Sequence, residues 1–343
     1  MLFCCSNPKE KNGDDLNKTS DLDTQGISPG KDYLKKYQEP SQIFKISLTK
    51  ASIISGKKGT KIFVDPNNLE TITGKPLGEN AQLELIELSN QRQLLKTNAQ
   101  TTADGKILIS GGAYYIDINS NGEQLKLKEG KQMNVQFPVL NNTKMDLFYG
   151  ERDKSGRINW SLSSQTFSVT NSSQNFKDSV KIIRKKSKSD IESIVDYLNG
   201  DTTTTPEGRA RAAKWEKANQ QRQKLYDAIG LSKLGWINCD KFLDYENKTD
   251  LYVELDPTSK NSDVQMYVVF KDINSVLQSE YNDKKPNKFD NLPVGYKVRL
   301  IAYNMKDEIF SAYSQDITIS KNQKINITLQ KIEEKDFQKL LNN

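Results

Sequence analysis

Short segments of alternating apolar and polar residues recur along the chain from Ile43 onward, and they predict β-strands. The pattern is clearest in residues 44–48, 61–64 and 83–88. Alternation with a period of two places successive side chains on opposite faces of a sheet, so that one face is buried. Turn-forming residues separate the segments, and Asn121-Gly122 is a strong hairpin signal. Many short strands at this spacing predict a sandwich or a barrel.

The same alternation returns beyond Trp236 and predicts a second β-sandwich. Residues 289–296 have the sequence of the turn that leads into a strand in prealbumin-like and fibronectin-like sandwiches, and residues 333–341 predict a short closing helix. The predicted strands are residues 251–255, 264–270, 297–303, 317–319 and 324–329.

The segment between these two regions changes to a helical period. Ile191, Ile194, Val195 and Leu198 recur at three to four residues and predict one helix. A second helix is predicted from the capping signal at residues 204–207 to Gly230. Its apolar side would comprise Trp215, Ala218, Leu225, Tyr226 and Ile229.

These patterns together predict a mainly β protein with two β-sandwich (immunoglobulin-like or fibronectin-like) domains joined by a short helical linker. The predicted divisions are a lipid-anchor remnant with a disordered spacer at 1–40, a β-sandwich at 41–175, a basic helical linker at 176–232, and a C-terminal sandwich at 233–343. The spacer prediction rests on composition. Residues 6–40 contain almost no branched aliphatic side chains, so they cannot bury enough apolar surface to offset the entropy of ordering.

The first residues of the chain carry a candidate lipidation site. Leu2-Phe3-Cys4-Cys5 fits a lipoprotein signal if Cys5 is the acylated residue, whereas acylation of Cys4 would place bulky Phe3 at the cleavage site. A signal peptide needs a basic start and roughly 7–15 apolar residues, and only Leu2 and Phe3 precede the cysteines. Either the true start lies upstream of Met1, or both cysteines are ordinary thiols, or both are acylated in the cytoplasm.

Lipidation would anchor the protein without a transmembrane helix. Of the 343 residues 35% are hydrophobic, and no stretch is long and apolar enough to predict a membrane span. The expected location is the cell envelope, with the lipid in the outer membrane. The alternative is the cytoplasm, if the N-terminus is unprocessed.

The order of motifs in the first region resembles a known family. TGKPL at residues 73–77, the segments at 102–108 and 110–116, and later segments at 145–150 and 234–240 follow one another. They resemble the ZU-type β-sandwich shared by ankyrins, tight-junction scaffolds and netrin receptors. They are more similar still to uncharacterised Gram-negative envelope lipoproteins that carry such a domain. The resemblance covers residues 43 to about 245, and it implies an architecture rather than an activity.

The candidate chemistry is sparse, because the chain contains no histidine. Ser-His-Asp triads, Cys-His nucleophiles and His-containing metal sites are thereby excluded. Thr166-Phe167-Ser168 resembles the site at which some ZU-type domains cleave themselves, but the required imidazole is absent. We therefore expect a protein that is not an enzyme and that needs no cofactor or metal. The third cysteine, Cys239, is expected to pack as a small apolar side chain.

Two carboxylate patterns in the sequence are candidate sites. Residues 117–122 mimic the first half of a calcium-binding EF-hand loop, but the twelfth position is Lys128 instead of the bidentate glutamate, so a hairpin turn is the better interpretation. The acid pairs Asp146 with Glu151, and Glu333 with Glu334, suggest an alternative function as a carbohydrate-active enzyme that uses paired carboxylates.

Positive charge is concentrated in the predicted linker. The whole chain has 50 basic and 44 acidic residues, an excess too small to indicate nucleic-acid binding by itself. The linker carries few aromatic residues on which bases could stack, so nucleic acid is not the expected partner. The positive charges of residues 181–224 nevertheless suggest an alternative function, the binding of nucleic acid or of an anionic surface. The candidate contacts are Arg184, Lys185, Lys186, Lys188, Arg209 and Arg211.

The function that the sequence favours is a lipid-anchored, non-catalytic protein of the cell envelope that binds or scaffolds a partner. The membrane would be contacted through the N-terminal lipid. The other partner would be a protein or a glycan, bound by exposed sheet edges or by loops at the ends of the sandwiches.

Overall fold

The structure is a computed structural model that describes residues 34–140, 143–153, 156–167, 225–257, 264–279, 287–306 and 308–342. It is mainly β, as predicted, with several antiparallel sheets. The first eleven strands are β1 Gln42–Ser47, β2 Ser52–Ser55, β3 Lys61–Val64, β4 Leu69–Thr71, β5 Asn80–Leu88, β6 Thr102–Ala103, β7 Lys106–Ser120, β8 Glu123–Leu127, β9 Met133–Gln136, β10 Met145–Arg152 and β11 Ile158–Phe167. The later strands are β12 Ile229–Leu231, β13 Gly235–Phe242, β14 Lys248–Leu255, β15 Gln265–Phe270, β16 Val276–Gln278, β17 Asn287–Pro293, β18 Lys297–Lys306, β19 Ile309–Thr318, β20 Gln323–Ile327 and β21 Gln330–Ile332.

Helices are few in the described residues. Helix α1 is Gln91–Lys96, and α2, Glu334–Asn342, confirms the predicted closing helix. Short 3₁₀ helices lie at Lys35–Tyr37 and Pro66–Asn68. None of the described helices is long and apolar enough to cross a membrane.

The described strands form two groups of sheets. In the N-terminal group, a nine-stranded sheet runs β1-β5-β7-β13-β10-β11, with β4, β6 and β8 attached beside it, and a four-stranded sheet runs β12-β9-β3-β2. In the C-terminal group, a three-stranded sheet runs β17-β14-β20 and a five-stranded sheet runs β16-β15-β18-β19-β21. Neighbouring strands are antiparallel except β14 and β20, which are parallel.

Each group has its own hydrophobic core. Ile62 of β3, Leu83 of β5 and Ile116 of β7 are fully buried together in the N-terminal core. Val253 of β14 and Leu300 of β18 are equally buried in the C-terminal core. Full burial of such an aliphatic side chain contributes about 1.5–3 kcal/mol relative to exposure. The inward positions follow the predicted alternation.

A third hydrophobic cluster connects the two groups, and we call it the join. It contains Leu95 of α1 and Trp236 of β13 from the N-terminal group, together with Tyr303 of β18, Phe310 of β19 and Phe337 of α2. The two groups therefore pack against each other through buried apolar side chains instead of being separated by a solvated linker.

Backbone hydrogen bonds reinforce the join. The Thr101 N–H donates to the Val276 carbonyl at 2.8 Å, and the Val276 N–H donates to Thr101 Oγ1 at 2.9 Å. The Ser110 N–H donates to the Asn274 carbonyl at 2.8 Å. The turn before β16 is thereby fixed to β7, so we expect the two groups to move as one body.

The predicted domain boundary at residue 233 assigns β13 to the C-terminal sandwich, but the strand lies in the N-terminal sheet. Its residues pair with β7 on one side and with β10 on the other, inside the N-terminal sheet. The physical reason is that β13 is buried on both faces. Ile237 and Cys239 face the N-terminal core, and Trp236 faces the join. Such a strand needs neighbours on both sides, and β7 and β10 supply them.

The C-terminal end of the predicted linker is extended instead of helical. Leu225 forms an isolated β-bridge with Pro138, and β12 pairs with β9. Tyr226 and Ile229 are buried in the N-terminal core, and this burial prevails over the helical pattern that the sequence indicated. The rest of both predicted helices lies outside the described residues.

The described residues on both sides of the basic segment belong to the N-terminal core. Phe167, before the segment, and Tyr226, after it, have ring centroids 5.3 Å apart. Both rings pack in the same core as Phe137. Residues 168–224 are thus an insertion within the N-terminal group and do not connect the two groups.

We predict that residues 168–224 can be replaced by a flexible linker of about eight Gly and Ser residues without loss of the fold. Shortening a loop lowers its closure entropy by about 0.6 kcal/mol per halving of its length, so stability should be unchanged or raised by about 1–2 kcal/mol. Thermal unfolding followed by circular dichroism measures this. As a control, a deletion that also removes Phe167 and Tyr226 should be strongly destabilised. An unfolded product from the first replacement would contradict the insertion topology.

The predicted spacer ends earlier than residue 40. Leu34 is buried, and residues 35–37 form a 3₁₀ helix against α2. The Tyr37 hydroxyl donates to Glu334 Oε1 at 2.8 Å, and the Lys36 ammonium lies 2.6 Å from the same oxygen. The spacer prediction was wrong for residues 34–40, which we call the strap, because Leu34 and Tyr37 supply apolar surface to the join. Residues 1–33 lie outside the described residues.

Residues 289–296, predicted as a turn, are mostly a strand. They begin inside β17, which pairs with β14, and the turn follows at Val294 and Gly295. Gly295 has a φ of +89°, a conformation that favours glycine. The turn therefore precedes β18 as expected, but it is shorter than predicted.

Candidate functional site

The lipidation site and the anionic-surface site predicted from the sequence lie outside the described residues. This applies to the lipidation candidates Cys5 and Cys4. It applies equally to the candidate anionic-surface contacts Arg184, Lys185, Lys186, Lys188, Arg209 and Arg211. Both sites remain predictions.

The EF-hand mimic forms the predicted hairpin. Asn121 and Gly122, with φ of +54° and +78°, join β7 to β8 in the conformation of a tight two-residue turn. Asp117, the first position of the mimic, accepts a hydrogen bond from Gln124 Nε2 at 2.8 Å, and its burial raises its pKa. In the part of the chain that the structure describes, no group of three or more His, Cys, Asp or Glu residues is arranged to hold a metal ion.

The two candidate acid pairs do not converge on one point. Asp146 and Glu151 are five positions apart on β10, so their side chains point to opposite faces of the sheet. Glu151 is exposed and lies 3.3 Å from the Lys233 ammonium. At the start of α2, Glu334 binds the strap, whereas the neighbouring Glu333 pairs with Lys335 at 2.5 Å. Neither pair has the facing geometry of glycosidase carboxylates.

One carboxyl group lies in an unusual environment that the sequence analysis missed. Asp240, on β13, is fully buried in the nine-stranded sheet. Asn238 Nδ2 donates to Asp240 Oδ2 at 2.5 Å, whereas Asp240 Oδ1 has no hydrogen-bond partner among the described residues. Burial raises the pKa of Asp240 well above its usual 3.8, although hydrogen bonds from Ser110, Asn238 and the Gly111 amide lower it in part. The sequence signal was two polar residues, Asn238 and Asp240, in an apolar segment.

A glycine pair allows β7 and β13 to approach closely beside this carboxyl group. The strand register shifts between Asn238 and Asp240, so that Cys239 faces Gly111 and Gly112. A Cβ atom on Gly111 would lie 2.7 Å from the Cys239 carbonyl oxygen, which is too close for any side chain. The Gly112 N–H donates to Ser110 Oγ at 3.1 Å. The bulge thus orients Ser110 toward Asn238 and Asp240.

Cys239 lies on the opposite face of the same strand. Its thiol is buried in the N-terminal core beside Tyr226, and burial raises its pKa well above 9.0. A thiol that is both buried and protonated is a weak nucleophile. The geometry therefore agrees with a packing role for Cys239.

A second buried carboxylate, Glu87, is fully engaged in holding a loop. It accepts hydrogen bonds from Gln42 Nε2 at 2.8 Å, from the Lys58 N–H at 2.8 Å and from the Thr60 N–H at 3.1 Å. These bonds fix the turn between β2 and β3 to β5, which carries Glu87, and to Gln42 of β1. We assign Glu87 a structural role, because both of its carboxylate oxygens accept hydrogen bonds from other groups of the protein.

Both outer edges of the nine-stranded sheet are open in the part of the chain that the structure describes. Among the described strands, β1 pairs only with β5, and β11 pairs only with β10. Each edge carries an exposed large aliphatic side chain, Ile43 (55% exposed) on β1 and Leu162 (52% exposed) on β11. Strand β11 contains no charged residue, although charge is a common protection of sheet edges. Such edges can accept a strand from another chain.

A scan against known protein families finds no match to the chain, and no curated protein sequence matches it.

Proposed function

We propose that the chain is a lipid-anchored protein of the cell envelope that binds or scaffolds a partner and catalyses no reaction. The observation that carries the proposal is the adjacent pair Cys4-Cys5, followed by a polar tract that leads to the ordered strap at Leu34. In this proposal Cys5 carries the lipid. Attachment of more than one acyl chain would hold the protein stably, whereas a single chain binds a membrane only marginally.

The proposed architecture is two β-sandwiches. The N-terminal core between the nine-stranded and four-stranded sheets supports the first, and the C-terminal core between the three-stranded and five-stranded sheets supports the second. The resemblance to ZU-type lipoproteins is retained as part of this proposal for the N-terminal sandwich. The join makes the pair a single rigid platform.

The attachment point of the tether determines how the platform is presented. The chain enters the ordered body through the strap, which lies against α2. The 28 residues between Cys5 and Leu34 span at most about 100 Å when fully extended. The tether would therefore join the body at the strap, beside α2. The body would reach partners that lie within about 100 Å of the membrane.

The proposed partner is a protein strand or a glycan bound at the sheet edges. Strand addition draws its affinity from main-chain hydrogen bonds, and an edge strand supplies unpaired N–H and C=O groups for them. The exposed Ile43 and Leu162 would add apolar contacts at the two edges.

Membrane fractionation tests the anchoring part of this proposal. The native gene with its upstream sequence is expressed as wild type, as Cys5→Ala and as Cys4→Ala. We expect the wild type and Cys4→Ala in the outer-membrane fraction, extracted only by detergent, and Cys5→Ala in the soluble fraction. A soluble wild type would refute anchoring. If the Cys4→Ala protein appears in the soluble fraction and the Cys5→Ala protein stays in the membrane fraction, the acylated residue is Cys4.

A further inference from the structure

Asp240 belongs to a row of oxygen-bearing side chains across four strands. In the strand register it lies directly opposite Ser110 on β7 and Asp146 on β10, and Asp146 lies opposite Thr166 on β11. Residues that face each other in antiparallel strands have side chains on the same face, about 4.5–5.5 Å apart at Cβ. Ser110 and Asp240 are buried, Asp146 is half-buried and Thr166 is exposed. The row therefore leads from the protein interior to the sheet edge.

A negative charge on Asp240 would be poorly compensated. Its Oδ1 has no hydrogen-bond partner among the described residues, and the donors that reach the carboxyl group, Ser110, Asn238 and the Gly111 amide, are all uncharged. The facing residue, Asp146, is itself an acid, and like charges directly opposite each other destabilise a sheet. A buried acid in this situation binds a proton instead of remaining ionised.

Among the described residues, the titratable groups on the opposite face and in the adjoining turn do not supply Asp240 with a positive charge. On the opposite face of the sheet, burial raises the pKa of Cys239 and of Tyr114, so both stay neutral. In the adjoining turn, Lys271 and Asp272 are exposed, and Lys271 pairs with Asp316 at 3.1 Å.

The same cluster holds the two groups of sheets together. Ser110 Oγ lies 3.4 Å from Asn238 Oδ1 on the Asp240 side. Its backbone binds Asn274, with the Ser110 N–H donating to the Asn274 carbonyl at 2.8 Å and Asn274 Nδ2 donating to the Ser110 carbonyl at 3.0 Å. A change in the charge of Asp240 therefore reaches, through Ser110, the turn at Asn274 that precedes β16.

We propose that Asp240 is a buried proton-binding site that stabilises the join: the join is tight while the carboxyl group is protonated and loosens when the proton is lost. The half-buried Asp146 and the exposed Thr166 provide the route by which the proton exchanges with solvent. The protein would thus be more firmly held together in acidic than in alkaline surroundings. The inference is independent of lipid attachment at Cys5.

The sign of the pH dependence follows from the direction of the pKa shift. Because the pKa of Asp240 is raised in the folded protein, the folded state binds more protons than the unfolded state above about pH 4. The folded-to-unfolded ratio should therefore fall as the pH rises from about 4 toward the raised pKa, by up to about tenfold per pH unit from this group.

Urea denaturation between pH 5 and pH 8 tests the proposal on the wild type, Asp240→Asn and the exposed control Asp272→Asn. We expect Asp240→Asn to lose this pH dependence and to exceed the wild type in stability at pH 8. The Asp272→Asn variant should keep the wild-type slope. An Asp240→Asn curve parallel to that of the wild type would overturn the proposal.

Two measurements on the wild type hold even if Asp240→Asn fails to fold. Infrared spectroscopy at pH 7 should show the carbonyl band of a protonated carboxylic acid, and its absence would refute the proposal. Hydrogen exchange should show the Ser110 amide opening more often as the pH rises, beyond the intrinsic rate increase. If the opening of the Ser110 amide does not change with pH, the ionisation of Asp240 does not affect the join, and the proposal is overturned.

Discussion

Replacing Phe337 with alanine is expected to lower the free energy of unfolding by about 3–5 kcal/mol, the usual range for a buried aromatic residue. The Phe337 ring is fully buried at the join. Its centroid lies 4.5 Å from that of Phe310, 4.9 Å from that of Tyr303 and 5.7 Å from that of Tyr37. The substitution leaves a cavity between α2, β18, β19 and the strap. Equilibrium denaturation in urea measures the loss.

The same substitution should release the strap. Proteolysis at Lys35 or Lys36 is expected to accelerate in Phe337→Ala, because Leu34 and Tyr37 lose their packing partner. Phe337→Leu, which keeps most of the volume, serves as the control and should be affected much less. A loss below about 1 kcal/mol with unchanged protection of the strap would contradict the assignment of Phe337 to the join.

Trp236→Ala is expected to have a comparable effect, about 3–5 kcal/mol. The Trp236 ring lies 5.1 Å from the ring of Tyr115 and 4.8 Å from the Arg152 guanidinium, and it faces the join from β13. Since the join links both groups of sheets, the whole chain should unfold in one transition at a lower temperature. Differential scanning calorimetry measures this shift.

Trp236→Phe is the control for this second substitution, and it should retain a single transition near that of the wild type. Two separated transitions in Trp236→Ala, with the C-terminal one unchanged, would show that the groups fold independently. That result would contradict the account of a shared hydrophobic cluster.

The sequence predicted the strands well, because alternation is a local property. Residues 61–64 and 83–88 form β3 and part of β5, and Asn121-Gly122 forms the predicted hairpin. Alternation defines the two faces of a strand, but it does not identify the neighbouring strands. The position of β13 between β7 and β10 depends on contacts more than 80 residues apart in the chain, and no local pattern encodes them.

The wrong predictions have a common physical cause. Leu225, Tyr226 and Ile229 fit one side of a helix, yet Leu225 forms a β-bridge with Pro138, and Tyr226 and Ile229 are buried in the N-terminal core. The polar composition of residues 6–40 favoured disorder, yet Leu34 and Tyr37 are sufficient to order the strap against α2. In both cases tertiary burial of a few apolar side chains outweighed the local signal.

The unusual carboxyl group could not be recognised from the sequence either. An aspartate in a strand ordinarily faces solvent. Its burial at Asp240 results from the pairing of β13 on both sides and from the close approach that Gly111 and Gly112 permit. Only the tertiary structure shows that Asp146 and Ser110 are the residues that face it.

The most direct test of the proposed function is the intact mass of the N-terminal peptide, isolated from the membrane fraction of the native organism. The account predicts a peptide that begins at Cys5 and carries diacylglycerol with or without an N-terminal acyl chain, and predicts that this species disappears in Cys5→Ala. An unmodified peptide that begins at Met1, recovered from the soluble fraction, would contradict it.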